Sequence, residues 1–274
     1  MTTACETLLV TNSDGITTIA FNRPEKRNAM SPQLHREMYQ LLTELRYDKE
    51  TKVIILTGAG DNFCAGQDLK QYGLEMESQP EWVKDDIREK VRKWRTELLR
   101  TMPQPVIARI AGWCLGGALT VTVGCDVAIA SEDAQFGLPE VNFGHFPAGE
   151  TTPILANYLN SKHGLYYALS GKMMSGREAE RIGLISKAVP RAQLDQEVND
   201  YAHCLAEKSP LALKAVKESW HLSTSNSADA GFAISNFISQ RIVRDQGGRP
   251  GLEQFVQKKL RPVTDTMKLD KKID

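Results

Sequence analysis

Two short apolar runs, Val53-Ile54-Ile55-Leu56 and Val106-Ile107-Ala108-Arg109-Ile110, each lead straight into a loop of small residues. A run of this kind bounded by glycine reads as a strand buried on both faces, and such strands belong to sheets covered by helices. The segments around them supply the helices. Ser31-Pro32 opens one with an N-cap and a proline at the first helical position, followed by Leu34, Met38, Leu41, Leu42 and Leu45 at helical spacing. The charged stretch 81–101 predicts another, with Trp94, Leu98 and Leu99 on its apolar side and Pro103 and Pro105 ending it. Runs 7–11 and 16–21 around Asn12-Ser13-Asp14-Gly15 predict a hairpin, 127–130 a further strand and 117–124 a helix. Beyond about residue 150 the pattern is helical, at 163–170, 175–182, 191–207, 210–222, 227–244 and 249–259, with a strand only near Ile185–Val189. Alternation first and helices afterwards predicts an α/β core with a helical C-terminal region.

Charge and cysteine usage narrow the function classes. The 34 basic and 34 acidic side chains cancel, which argues against a general nucleic-acid or anionic-membrane surface. Five cysteines, with no Cys-x-x-Cys pair, suit neither a disulfide framework nor a structural zinc site. No apolar stretch approaches the roughly 18 residues of a membrane helix. The start, Met1-Thr-Thr-Ala-Cys-Glu-Thr, is not of signal-peptide type, and the end, Lys-Lys-Ile-Asp, is not a peroxisomal address. The expectation is a cytoplasmic protein.

Chemistry can be placed at three loops. Asn62-Phe63-Cys64-Ala65-Gly66-Gln67-Asp68-Leu69 follows the first buried strand, and Ala111-Gly112-Trp113-Cys114-Leu115-Gly116-Gly117-Ala118 joins the second to the helix at 117–124. Small residues let a ligand approach the backbone, and a helix N-terminus offers unpaired N–H groups. Two such loops facing each other would form an oxyanion hole. Each alone reads no less well as a tight connection, and neither carries a Gly-x-Gly-x-x-Gly or Gly-x-x-x-x-Gly-Lys phosphate fingerprint. In the third loop, Phe136–Gly144, Glu140 sits among apolar and small neighbours. There it is either a proton-transfer group with a pKa raised by burial, or a carboxylate that caps backbone or pairs with an arginine.

His35, His163, His203 and His221 fall in predicted helices with no partner at metal-ligand spacing, which predicts packing roles. His145, five residues after Glu140, is a candidate substrate contact. No Gly-x-Ser-x-Gly elbow supports a serine hydrolase. Met173-Met174 is expected in the core. The lysine-rich stretch 258–272 reads as a solvated tail or a basic arm for phosphates.

Taken in order, Asn-Arg-Pro-Glu-Lys-Arg-Asn-Ala (22–29), Cys-Ala-Gly-Gln-Asp-Leu (64–69), Gly-Trp-Cys-Leu-Gly-Gly-Ala (112–118), Cys-Asp (125–126) and Phe-Gly-Leu-Pro-Glu (136–140) resemble the crotonase superfamily of enoyl-CoA hydratases and isomerases. Leu-Ser-Gly-Lys (169–172), Ala-Glu-Arg-Ile-Gly-Leu-Ile (179–185) and Gly-Leu-Glu-Gln-Phe (251–255) extend the resemblance over nearly the whole chain. It implies a crotonase-like ββα spiral core over 1–200 and a helical oligomerisation region over 201–274, assembled as a trimer or dimer of trimers. By the same resemblance, the backbone N–H groups of Gln67 and Gly117 hold the thioester oxygen and stabilise an enolate. Lys26, Arg27, Ala29, Ala65, Asp68 and Leu69 hold CoA, joined by Phe255 and Lys258. Coenzyme A enters as part of the thioester substrate. No metal, nicotinamide or flavin is implied, and no nucleic-acid or membrane partner.

Short-chain hydratases carry one glutamate in the Gly-Gly helix and one in the Pro-Glu loop. Here Glu140 is the second, and Thr120 stands at the first position. A threonine hydroxyl is no general base near neutral pH, although it can position a water. One-glutamate members include enoyl-CoA isomerases and hydroxycinnamoyl-CoA hydratase-lyases. Residues 22–32, 56–60, 68–72 and 112–117 are similar to the second group. That likeness implies hydration of an aryl-propenoyl-CoA followed by cleavage to an aromatic aldehyde and acetyl-CoA. Glu140 would shuttle the proton, Thr120 hold water, and Tyr72 face the aromatic end.

The sequence departs from this group at three places. Phe232-Ala-Ile-Ser-Asn-Phe (232–237) lacks the group's second tyrosine, Phe143 stands where a tryptophan is expected, and Glu150 replaces a small residue. Glu150 reads first as a helix N-terminal charge, with a second acid–base group or a specificity element as alternatives. The alternative activities are an aliphatic enoyl-CoA hydratase and a double-bond isomerase. A reading of a different class is a non-catalytic RNA-associated protein, against which zero net charge and the intact loops count.

Overall fold

A computed structural model describes residues 5–244 together with 253, 256 and 257. Asp14 and Gly15 both take positive φ, 54° and 79°, the two-residue turn geometry that matches the twist of paired strands. They join β1 (Leu8–Ser13) to β2 (Ile16–Phe21) in an antiparallel hairpin. The later strands are β3 (Val53–Gly58), β4 (Val106–Ile110), β5 (Trp113–Leu115), β6 (Val127–Ser131), β7 (Gln135–Gly137), β8 (Met173–Ser175) and β9 (Lys187–Val189). One sheet has the order β1-β2-β3-β4-β6-β9, parallel from β2 onward, and a smaller one has the order β5-β7-β8.

The chain alternates between the two sheets and so winds as a spiral. β4 lies in the large sheet and β5 in the small one; β6 and β7 repeat the step. The turn before them does the same without a full strand, since Cys64 bridges Cys114 in parallel and Cys114 pairs with Phe136. Equivalent loops of successive turns are thereby stacked. This brings residues 64–67, 114–117 and 136–140 together.

Helices cover the large sheet. α1 (Pro32–Leu45) starts at Ser31, whose hydroxyl accepts from Leu34 N at 3.2 Å, and buries Leu34, Met38, Leu41, Leu42 and Leu45 as their spacing predicts. α2 (Glu81–Arg92) continues through a π-helical stretch, Lys93–Leu98, that buries Trp94, Arg95 and Leu98. α3 (Gly117–Gly124) is buried along its whole length. α4 (Thr151–Tyr158), α5 (Ser161–Ser170), α6 (Gly176–Arg181) and α7 (Leu194–Ala206) follow. Trp94, Phe21, Phe63 and Phe136 are the bulkiest fully buried side chains.

The described chain divides into two compact units after His203. In the second, α8 (Pro210–Thr224) packs on α9 (Ala228–Arg244), and Arg241 pairs with Glu218 at 2.9 Å. Among the described residues no helix is long and apolar enough to cross a membrane, and no disulfide forms.

The structure corrects several expectations. α4, β5, β7 and β8 fall where no helix or strand was expected. Met174 is buried but Met173 is 39% exposed, because β8 is an edge strand with its alternate side chain outward. Of the helix expected at 249–259, only Glu253, Val256 and Gln257 are described. Phe255, Lys258 and the lysine-rich stretch 258–272 lie outside the described residues.

Candidate active site

Gln67 is placed by a parallel bridge to Met30. Met30 N donates to Gly66 O at 2.8 Å and Asp68 N donates to Met30 O at 2.9 Å, so the N–H of Gln67 points away from Met30. Gly117 is the first residue of α3, where helix geometry leaves the N–H without an intrahelical acceptor. Among the described residues neither N–H has a hydrogen-bond partner. The two loops are in contact: a methyl group built on Gly117 would lie 3.8 Å from Gln67 Cγ.

A buried relay holds Gln67. Its side-chain Oε1 lies 2.7 Å from His35 Nε2, and Trp94 Nε1 donates to His35 Nδ1 at 3.0 Å. The indole can only donate, so His35 carries its proton on Nε2 and gives that hydrogen bond to Gln67. Full burial, with the Arg95 cation nearby, lowers the His35 pKa to about 3 and keeps the ring neutral. The packing role expected of His35 is therefore only part of its role.

Glu140 lies in a single 3-10 turn, Pro139–Phe143, at the end of the third stacked loop. Gly116 has φ 53°, and a Cβ there would sit 2.6 Å from Glu140 Oε1, so only a glycine leaves room for this carboxyl. The other oxygen, Oε2, is buried without a partner. Burial pushes the Glu140 pKa above the ordinary carboxylate value. Of the readings open from sequence, the pairing with an arginine is not found among the described residues, and the one hydrogen bond that bears on this carboxyl is with its own backbone N–H. An unpaired, desolvated carboxyl beside two free N–H donors can move a proton next to a developing oxyanion.

Tyr72 projects from a π-helical turn, Leu69–Leu74, that Asp68 caps by accepting from Lys70 N and Gln71 N. Its ring meets His35 edge-on at 5.4 Å, which puts it beside the Gln67 relay. The two loops expected to hold CoA are joined: Ala65 N donates to Arg27 O at 2.9 Å, and Asn28 Nδ2 donates to Ala59 O and Asn62 O. Lys26 and Arg27 are exposed there, with the Arg27 guanidinium 4.1 Å over the Trp113 ring; Leu69 is exposed, and Ala29 and Ala65 are half-buried. Asp68, by contrast, is buried and pairs with Arg23 at 2.8 Å, which makes it a clamp on its own turn.

The remaining residues divide. Phe143 and His145 are exposed, their ring centroids 6.1 Å apart. Thr120 is fully buried and its hydroxyl donates to Thr151 at 3.0 Å, so its proton is already engaged. Glu150 stands at the N-terminus of α4 but makes no capping bond; its carboxylate pairs with Arg95 at 2.6 Å. Glu150 thus sits where the reading as a helix N-terminal charge expected it, and the pair with Arg95 is an addition the sequence did not announce.

Arg95, His35 and Trp94 are site residues the sequence reading did not assign. Arg95 shares the apolar face of its helix with Leu98 and Leu99, three and four residues on, and that placement was the available signal.

Backbone donors from two turns of a spiral beside a carboxyl without an ion-pair partner suit chemistry at a carbonyl oxygen, and the comparisons with known proteins place the chain among enzymes that act on CoA thioesters. The enoyl-CoA hydratase/isomerase family model matches residues 11–265, so the chain belongs to that family and is an enzyme of the crotonase superfamily. Among its relatives, a hydroxycinnamoyl-CoA hydratase-lyase of Pseudomonas fluorescens is 38% identical over 259 residues, 93% of each chain. A mevalonyl-coenzyme A hydratase of Aspergillus fumigatus is 30% identical over 248 residues, 88% of each. The crystal structure of an enoyl-CoA hydratase from Bacillus anthracis superposes with a TM-score of 0.84 at 28% identity, covering 92% of this chain and 97% of the other.

Proposed function

We propose that this enzyme adds water across the double bond of an aryl-propenoyl-CoA of the hydroxycinnamoyl or feruloyl type. It then cleaves the β-hydroxy thioester to an aromatic aldehyde and acetyl-CoA. The observation that carries the reading is the single unpaired carboxyl, Glu140, against Gly116 and next to the Gly117 N–H. Water bonds the β-carbon as Glu140 takes its proton, and the electron pair of the double bond moves onto the thioester oxygen between Gln67 N–H and Gly117 N–H. Glu140 returns the proton to the α-carbon. In the cleavage step Glu140 accepts the proton of the β-hydroxyl as the Cα–Cβ bond breaks. The resulting enolate takes that proton back to become acetyl-CoA.

Tyr72, beside the relay that fixes Gln67, supports an aromatic acyl end, as does the 38% identity to a hydroxycinnamoyl-CoA hydratase-lyase. Lys26, Arg27, Ala29, Ala65 and Leu69 would hold CoA along the joined loops, with Phe143 and His145 at the mouth. The steps draw on no metal, nicotinamide or flavin. We assign a cytoplasmic location and a homo-oligomer, trimer or dimer of trimers. The assembly is supported by Phe232, Phe237 and Val243, which are exposed on α9 at 61–70%.

A second reading, hydration or isomerisation of an aliphatic enoyl-CoA, is favoured by the absence of tyrosine from 232–237. A product assay separates them. Aldehyde and acetyl-CoA released from feruloyl-CoA support the first reading; turnover of crotonyl-CoA or a 3-enoyl-CoA alone selects the second.

A further inference from the structure

A second carboxylate is tethered to the first turn of α3. Glu150 Oε2 accepts from Arg95 Nη2 at 2.6 Å, and Nη1 of the same guanidinium donates to Gly117 O at 3.4 Å. The residue after it, Thr151, accepts from the Thr120 hydroxyl on that turn at 3.0 Å. Next to the same turn, Glu140 Oε1 lies close against Gly116, 2.6 Å from where a Cβ there would stand. The two carboxyls therefore flank the helix N-terminus that presents the Gly117 N–H.

Their settings differ in a way that suggests different tasks. Glu140 is unpaired, with one oxygen buried and unbonded. Glu150 is held by a cation, its side chain is 23% exposed, and its Oε1 meets no partner among the described residues. Arg95 is 4% exposed and its Nε is buried without an acceptor. Burying a guanidinium so incompletely bonded opposes folding, and an apolar side chain of similar size would fill the space at lower cost. A purely structural role thus explains the arrangement poorly. The guanidinium fixes where the carboxylate points.

We propose that Glu150, aimed by Arg95, binds the water that is added to the double bond. The inference deepens the hydration reading above and rests on it. Glu150 Oε1 accepts one hydrogen of the water and keeps it oriented; the other passes to Glu140 as the water oxygen bonds the β-carbon. Glu140 then protonates the α-carbon. One water is consumed, and both carboxylates end as they began. Pairing with a guanidinium fixes one oxygen of Glu150 and leaves the other to accept a hydrogen bond. Thr120, whose hydroxyl proton is given to Thr151, leaves this place to Glu150.

The test compares two reactions of one site. Exchange of the α-proton of 3-(4-hydroxy-3-methoxyphenyl)propanoyl-CoA in D2O needs the oxyanion hole and Glu140, whereas hydration of feruloyl-CoA also needs the oriented water. In Glu150→Gln the ratio of hydration to exchange should fall about 10²-fold, the lower end of what a positioned group contributes. In Arg95→Met it should fall roughly 10-fold, with partial recovery in Arg95→Lys. The Arg95→Met/Glu150→Gln double variant, which leaves no buried charge unpaired, keeps the comparison available should Glu150→Gln fold poorly. An unchanged ratio in the single or double variant overturns the proposal, even where both rates fall together. Wild-type protein that exchanges the α-proton but hydrates neither feruloyl-CoA nor crotonyl-CoA removes the hydration reading itself, a different failure.

Discussion

The two halves of the site are built on opposite principles. On the side proposed to hold the oxyanion, Trp94, His35 and the Gln67 side chain form an unbroken hydrogen-bonded row inside the core. On the side proposed to move the proton, Glu140 Oε2 is buried with nothing to bond and Arg95 Nε lacks an acceptor. Donors that stabilise a developing charge work best when they cannot reorganise, and a packed relay supplies that rigidity. A group that must give and take a proton works best when neither of its charge states is fully satisfied. Stability and reactivity are thus divided between neighbouring residues. Substitutions in the two halves should have opposite signatures.

The largest effect is expected at Glu140. Glu140→Gln should lower turnover by roughly 10²–10⁴-fold while CoA affinity, measured by calorimetry, stays within a few-fold. Because the substitution removes an unsatisfied buried carboxyl, thermal unfolding should show unchanged or slightly higher stability. A clear loss of stability would erase the contrast.

Acid sensitivity comes next and belongs to the relay. The folded pKa of His35 is lowered to about 3, so between that value and the ordinary histidine range the unfolded chain binds a proton that the folded one refuses. Stability from this group is complete above about pH 6.5 and is lost as pH falls toward 3, by on the order of 4–5 kcal/mol. Urea denaturation across that window should show the slope, and His35→Leu should flatten it.

At neutral pH His35→Leu acts through its partners. It leaves the Trp94 indole N–H and the Gln67 amide oxygen without their bonds, which should cost about 2–3 kcal/mol in unfolding free energy. Turnover should drop about 10-fold as Gln67 loses its anchor, with little change in KM for the CoA thioester. Asp68→Asn should have the smallest effect of the series. It weakens the Arg23 pair at the foot of the Tyr72 turn, costs about 1–2 kcal/mol, and raises KM more than it lowers turnover.

How much of this could be read from the chain depended on the distance over which each feature is encoded. The buried strands, the Gly117–Gly124 helix and the setting of Glu140 are written in contiguous residues, and they were legible. The hydrogen bond of Trp94 to His35 spans 59 positions and the pair of Arg95 with Glu150 spans 55, so no local pattern announces either. Arg95 lies in a stretch rich in charges, and only its helical phase relative to Leu98 and Leu99 marks it as buried. β8 was missed because a three-residue edge strand is too short to show a period of two. α4 was missed because threonines and a proline obscure its start.

The central claim, that the oxyanion side stands preformed and independent of the proton side, can be read from the absorbance of bound feruloyl-CoA. Donors on the thioester oxygen polarise the conjugated chromophore and move its band to the red. In Glu140→Gln, where turnover is slow, the account predicts a full red shift on binding; adding His35→Leu to the same protein should remove most of it. No shift in Glu140→Gln, or an undiminished shift after His35 is replaced, would contradict the account.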